Sequence, residues 1–372
     1  MRGAFQLGRA AGIDIRIHWT FALLLAWAGW QHLSLGHGAA AALVGVVFMV
    51  AVFGCVVLHE LGHALTARAF GIGTRDITLY PIGGVASLER IPDEPRQELL
   101  VALAGPAVNV AIAAALALVV GLGGGLASID PTPSVGAGLV ANLLLVNIAL
   151  AGFNLIPAFP MDGGRVLRAV LAMRMDRVRA TRLAASVGQG LAVLFGVAGL
   201  FVNWFLLFIA LFVYMGAEQE ARAVEAHGAM RGAKVRDAMV RRVRTLQGGA
   251  HLRAAMEELL AGEQIDFPVL DAEGRYVGIL YRDALIRGLA AGKAEEPIQT
   301  LVASEVVPAA PGAPLEEVAS RLAAAGGRAV PVVADGLVVG LLTTQNVGEW
   351  MAVGDALAAA SRSAPTSIRR PA

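Results

Sequence analysis

The run "VVLHELGHAL" (56–65) sets His59, Glu60 and His63 inside a stretch, Ile17 to Ala67, that carries no other charged residue. On a helix, positions four apart lie on one face about one turn apart. The two imidazoles can therefore hold a single Zn²⁺ ion, and Glu60, next to the first of them, can reach a zinc-bound water as general base. Ionisable groups lose hydration in an apolar span and persist there where they are paired, metal-bound or facing a cavity. The competing reading is a pair of histidines satisfied within a helix bundle. A catalytic zinc takes three protein ligands and keeps a fourth position open. Asp162, in "NLIPAFPMDGGR" (154–165), is the candidate for the third, its competing reading being the N-cap of a following helix. Pro157 and Pro160 break a helix there and free backbone carbonyls, which is tolerated at membrane depth where protein or a water-filled cavity satisfies them. Gly163 and Gly164 let the chain turn closely around a site.

These residues must be held by membrane helices. The 372 residues are 56% hydrophobic, with a mean hydropathy of +0.65, too apolar for an ordinary soluble protein. Stretches long enough to cross about 30 Å of hydrocarbon, roughly 20 helical residues each, fall at about 17–35, 41–67, 97–124, 136–158, 183–200 and 202–219. Arg2, Arg9 and Arg16 precede the first, but no small-residue cleavage site follows it, so it reads as a helix and not a signal peptide. No Lys or Arg occurs from 17 to 67, 97 to 164 or 183 to 221. The basic residues follow the second, fourth and sixth stretches, which predicts a multi-pass protein of the cell (plasma or inner) membrane with both termini cytoplasmic. On that topology His59, His63 and Asp162 share one depth near the cytoplasmic surface.

The remaining signals are weaker. The net charge of +1 is a local asymmetry, and without a basic patch interleaved with aromatics no nucleic-acid partner is expected. A single cysteine, Cys55, excludes an intramolecular disulfide. One turn before His59, it reads as a small buried residue, with a fourth ligand or redox switch as the alternative. His18 beside Trp19 reads as an interfacial anchor, and His32 and His37 as solvated loop residues on the far side. "DITLYPIGGVASLE" (76–89) reads as two short strands around Gly83 and Gly84, whose edge could receive a substrate strand through main-chain hydrogen bonds.

From about Ala221 charges become frequent and apolar runs shorten, so a linker over 221–233 is expected to lead into a soluble α/β domain. There "FPVLDAEGRYVGILYRDAL" (267–285) echoes "VPVVADGLVVGLLTTQNV" (330–347), setting Pro268 against Pro331 and Gly278 against Gly340, with a helical pattern before each copy. Two paired βαββα units follow from that repeat. Residues 354–372, rich in Ala, Ser, Arg and Pro, read as a disordered tail. The expected fold class is a polytopic α-helical membrane protein of six transmembrane helices with a C-terminal α/β domain.

Read together, "HELGH", "LAGPAVN" (103–109) and "NLIPAFPMDGG" (154–164) resemble the site-2 proteases, zinc metalloproteases that cleave inside the membrane. The family pattern N-x-x-P-x-x-P-x-D-G stands intact as Asn154, Pro157, Pro160, Asp162 and Gly163. The resemblance covers about 1–220. It implies zinc held by His59, His63 and Asp162, Glu60 as catalytic acid and base, and Asn154 as a polar group holding substrate or oxyanion. It also implies a membrane-dipping hairpin after the second helix, and single-span transmembrane substrates such as anti-sigma factors. Asn109 is a second candidate oxyanion donor, with an interhelical hydrogen bond as the alternative. The repeat over 234–353 resembles the CBS-domain pair, which implies an adenine nucleotide met by Thr343 and Asn346. Tyr281 and Ala284 stand in the matching places of the first unit and depart from that pattern. A structural pair that makes a homodimer is the alternative. A rival from another class, a CBS-regulated transporter or channel with a metal site, would show repeated halves and broken helices near the bilayer centre. Residues 1–220 show no such repeat.

Overall fold

The computed structural model describes residues 3–90, 92, 94–122 and 137–363. The chain divides into two compact units, Met1–Val224 and Glu225–Ala372.

The first unit opens with β1 (Ala4–Ala10) and β2 (Ile13–His18), followed by α1 (Thr20–Ser34) and α2 (Gly38–Ala69). A second hairpin, β3 (Thr74–Tyr80) and β4 (Gly83–Leu88), leads to α3 (Pro95–Leu122), α4 (Ala137–Asn154), α5 (Asp162–Ala172), α6 (Arg177–Phe201) and α7 (Phe205–Met230). The four strands form one sheet in the order β1-β2-β3-β4. β2 and β3 run parallel while the outer pairs are antiparallel, with α1 and α2 as the crossover. Ile13, Ala64 and Ile77 seal the sheet onto α2. β4 is left as an edge with one free row of backbone donors and acceptors.

The hairpin at 76–89 stands where the sequence predicts it, whereas β1 and β2 do not appear in that reading. In "IDIRIH" the isoleucines alternate with polar residues, a strand period. The strand uses up the start of the first expected span. At 15 residues, α1 reaches about 22 Å, short of the hydrocarbon thickness. Among the described residues three helices, α2, α3 and α6, are long and apolar enough to cross a membrane. α1, α4 and α7 lie on the other three stretches. His32 is within α1 and half-buried, not a loop residue. The fourth expected span runs past the end of α4, and its first residue lies outside the described residues.

Close helix contact is made by small residues. A Cβ on Gly62 of α2 would lie 2.9 Å from the carbonyl oxygen of Ala104 in α3. Cβ atoms on Gly163 and Gly164 would lie 2.2 Å from Ile156 O and 2.6 Å from the carbonyl carbon of Ala158. Glycine at both positions is what lets α5 begin directly against the loop before it. α5 is anchored by Arg168, which is fully buried. Its Nε donates to Glu98 Oε1 of α3 at 2.7 Å, its Nη1 donates to Glu220 of α7, and its guanidinium lies 5.1 Å from the centre of the Phe159 ring. Arg177 adds a second cation 3.3 Å from Glu98.

The second unit contains α8 (Val235–Ala238), β5 (Leu246–Gln247), α9 (Leu252–Ala261), β6 (Phe267–Leu270), β7 (Tyr276–Leu280), α10 (Arg282–Ala290), α11 (Leu315–Ala324), β8 (Val330–Ala334), β9 (Leu337–Leu342) and α12 (Thr344–Ser363). The repeat is visible residue by residue. Val269 pairs with Gly278 in one copy and Val332 with Gly340 in the other. Leu246 pairs in parallel with Val269, as Ala309 does with Val332. Both glycines admit a crossing segment, since added Cβ atoms would lie 2.9 Å from Ala303 O and from Val240 O. Two expectations change here. α7 continues to Met230, so most of the expected linker is helix, and α12 runs to Ser363, well into the expected tail. Residues 364–372 lie outside the described residues.

Candidate metal centre

α2 carries His59 and His63 on the face toward α3, and both are buried. α5 begins at Asp162, also buried, with Met161 and not Asp162 as its N-cap. The N-cap alternative for Asp162 therefore does not hold. Its Oδ2 lies 3.1 Å from His59 Nε2 and 3.2 Å from His63 Nε2, and the two Nε2 atoms are 3.0 Å apart. Among the described residues these three form the one cluster able to hold a metal ion.

The second nitrogen of each ring decides what that convergence means. His63 Nδ1 lies 2.7 Å from Val101 O, and a carbonyl can only accept, so Nδ1 carries the proton and Nε2 a lone pair. His59 Nδ1 lies 2.5 Å from Asn109 Oδ1, which fixes the same tautomer. Two imidazole lone pairs and a carboxylate oxygen then point at one another with no proton between the rings, an arrangement that a shared cation stabilises. A tetrahedral zinc with ligands at about 2.0–2.1 Å sets ligand atoms about 3.3 Å apart, close to the spacing here. The residues fit zinc.

α3 makes room for this. A Cβ on Gly105 would lie 2.2 Å from His63 Nε2 and 2.6 Å from His59 Nε2. Asn109, one turn further along, is fully buried and donates Nδ2 to Asn147 Oδ1 at 2.9 Å. Both ends of its amide thus take part in hydrogen bonds between helices. Asn147, absent from the sequence reading, donates to Leu143 O at 2.8 Å and to Cys55 Sγ at 3.4 Å. Cys55 is therefore a buried neighbour of this amide chain and not a member of the metal cluster.

A cavity of about 770 Å³ opens onto the three residues, lined also by Glu60, Asn154 and the length of β4. A Cβ on Gly84 would lie 2.8 Å from Glu60 Cγ, so one face of β4 packs directly against that glutamate. Asn154 closes α4 and makes no side-chain hydrogen bond to another described residue.

In the second unit Thr343 and Asn346 face each other across 2.6 Å at the start of α12, and Asn346 N donates to Thr343 Oγ1. In the matching place of the first copy, Tyr281 lies beneath the Arg328 guanidinium at 5.0 Å, and Arg328 pairs with Asp283 at 3.2 Å. Burial pushes the Tyr281 phenol up.

A helical His-Glu-x-x-His with an aspartate closing the triangle, set among membrane-length helices, defines a membrane metalloprotease. Comparison with known proteins agrees. The model for peptidase family M50 matches residues 47–132 and 133–197, and that for the CBS domain matches 235–291 and 298–352. A zinc metalloprotease of Methanocaldococcus jannaschii is 35% identical over 75% of this chain and 78% of that protein. The Rip3 protein of Mycobacterium tuberculosis is 31% identical over 95% of this chain and 94% of its own length. Among solved structures, the site-2 protease from Methanocaldococcus jannaschii is 38% identical, covering 59% of this chain and 95% of that one, with a TM-score of 0.44. The chain belongs to peptidase family M50, as a zinc-dependent intramembrane metalloprotease of the site-2 protease type with a CBS-domain pair.

Proposed function

We propose that this enzyme hydrolyses peptide bonds within or beside transmembrane segments of single-span membrane proteins, with His59, His63 and Asp162 holding one zinc ion. The observation that carries the ligand set is the convergence of His59 Nε2, His63 Nε2 and Asp162 Oδ2 within 3.2 Å of one another, with both Nδ1 protons committed elsewhere. When bound, the zinc would polarise the scissile carbonyl and acidify a water molecule. Glu60 takes the proton from that water on its carboxylate and returns it to the leaving amine. The Asn154 amide, free to donate into the cavity, meets the developing oxyanion. The free edge of β4 holds the substrate as an added strand, because a helical peptide bond is shielded by its own turn. Asp162→Ala tests the ligand set. A site left with two protein ligands should lose its zinc under mild chelation together with its activity, and wild-type zinc retention would remove Asp162 from the set.

Six spans with both termini cytoplasmic are proposed from the distribution of arginine; α2, α3 and α6 have the length and apolarity for a span, and α1, α4 and α7 lie on the other three expected stretches. The CBS pair is proposed to bind an adenine nucleotide through Thr343 and Asn346 and so to regulate cleavage, and also to make a homodimer. Coupling of this kind is bounded by the difference in nucleotide affinity between the two states, typically about 1–3 kcal/mol. Cleavage by the full chain with and without millimolar nucleotide measures it, and equal rates despite calorimetric binding would leave the pair a dimerisation module.

A further inference from the structure

His59 and His63 reach the same tautomer by different routes. His63 donates directly to a backbone carbonyl, Val101 O, whereas His59 donates to an amide, Asn109. An amide is reversible. Turned end for end, Asn109 would offer Nδ2 to His59 Nδ1, the ring proton would move to Nε2, and the lone pair aimed at Asp162 and His63 would be lost. Something has to set the direction of Asn109.

We infer that Asn147 is the positioning residue that does so. Its Nδ2 lies 2.8 Å from Leu143 O, an atom that can only accept. The amide end turned that way must therefore be the nitrogen, with Cys55 Sγ at 3.4 Å as a second acceptor. Asn147 Oδ1 is left to face Asn109, which must answer with Nδ2, at 2.9 Å. Asn109 Oδ1 then faces His59, and His59 Nδ1 must carry the proton. The polarity of the chain is fixed at the Leu143 carbonyl and transmitted through two amides, across α4, α3 and α2, to a ring nitrogen aimed at the metal. Asn109 and Asn147 are both fully buried. Each ring is thus tied to a backbone acceptor, His63 at first hand and His59 at third hand.

The inference rests on the ligand set proposed above, and its test reads the tautomer without zinc. Histidine side-chain ¹⁵N shifts are recorded on the purified, zinc-free full chain at a pH where both rings are neutral. The wild type should show a single Nδ1–H form at both histidines. Asn147→Leu, which keeps the number and branching of side-chain heavy atoms and removes the amide, should give mixed tautomers at His59 and leave His63 unchanged. In chelator competition it should lower zinc affinity about tenfold or more, the range seen when the partner of a ligating histidine is removed. In an Asn109→Ala background the same change should add less than twofold. Asn147→Ala, which likewise has no polar side-chain atom, carries the same expectations if the leucine variant does not fold. A single Nδ1–H form at His59 in the variant, or equal disturbance of both histidines, would overturn the inference. Unaltered zinc affinity in His63→Ala would instead overturn the ligand set, so the two fail separately.

Discussion

Gly105 determines how near α3 can come to the two imidazoles. With the added methyl at 2.2 Å from His63 Nε2 and 2.6 Å from His59 Nε2, Gly105→Ala must push ring or helix aside and open the ligand triangle. We expect zinc affinity to fall about tenfold or more with helix content unchanged, and zinc retention equal to the wild type in a chelator series would contradict this. The glycine of "LAGPAVN" is readable in sequence as part of a family pattern, but its physical reason exists only where α3 crosses α2. His59, Glu60 and His63 were legible because a spacing of four on a helix is local information. Asp162 was legible because charge asymmetry set it at their depth. Asn147 was not: an asparagine in an apolar helix has no spacing signal, and Asn109, its partner, is far off in the chain. Asn109 itself is visible in the sequence, and the packing shows its interhelical hydrogen bond to Asn147.

Among elements, α5 bears the most unusual load, since the helix that begins at Asp162 is fastened by a buried cation shared between α3 and α7. Arg168→Ala would leave Glu98 buried, with Arg177 at 3.3 Å as its remaining counter-charge. Removing one partner of such a pair costs about 3–5 kcal/mol. A clear drop in the thermal unfolding midpoint of the detergent-solubilised chain should follow. Glu220→Gln should cost less, because that carboxylate keeps 26% exposure. Equal midpoints for Arg168→Ala and the wild type would show that the cluster is held in some other way. Helices and the β3–β4 hairpin were legible from hydropathy and from Gly83 and Gly84. The N-terminal hairpin is not legible in the sequence, because a few alternating residues beside a long apolar run read as a flank of that run. Their strand character is fixed by pairing with β3, far away in sequence.

Across the whole molecule, the repeat of Pro268 and Gly278 in Pro331 and Gly340 was enough to expect two like units, because each position has the same backbone task in both copies. How many helices span the membrane is the less legible part. A reporter at Gly36 or Asn203 should be reached from outside the cell and one at Gly232 from the cytoplasm alone, and the opposite pattern would reverse the topology and the side from which the zinc is reached. The central claim is that Glu60 performs the proton transfers beside a zinc it does not bind. The most direct measurement is zinc content and cleavage of a transmembrane substrate on one purified sample of Glu60→Gln, beside the wild type. The account predicts one zinc per chain in both proteins and no cleavage by the variant. Wild-type cleavage by zinc-loaded Glu60→Gln, or a variant that no longer holds zinc, would contradict it.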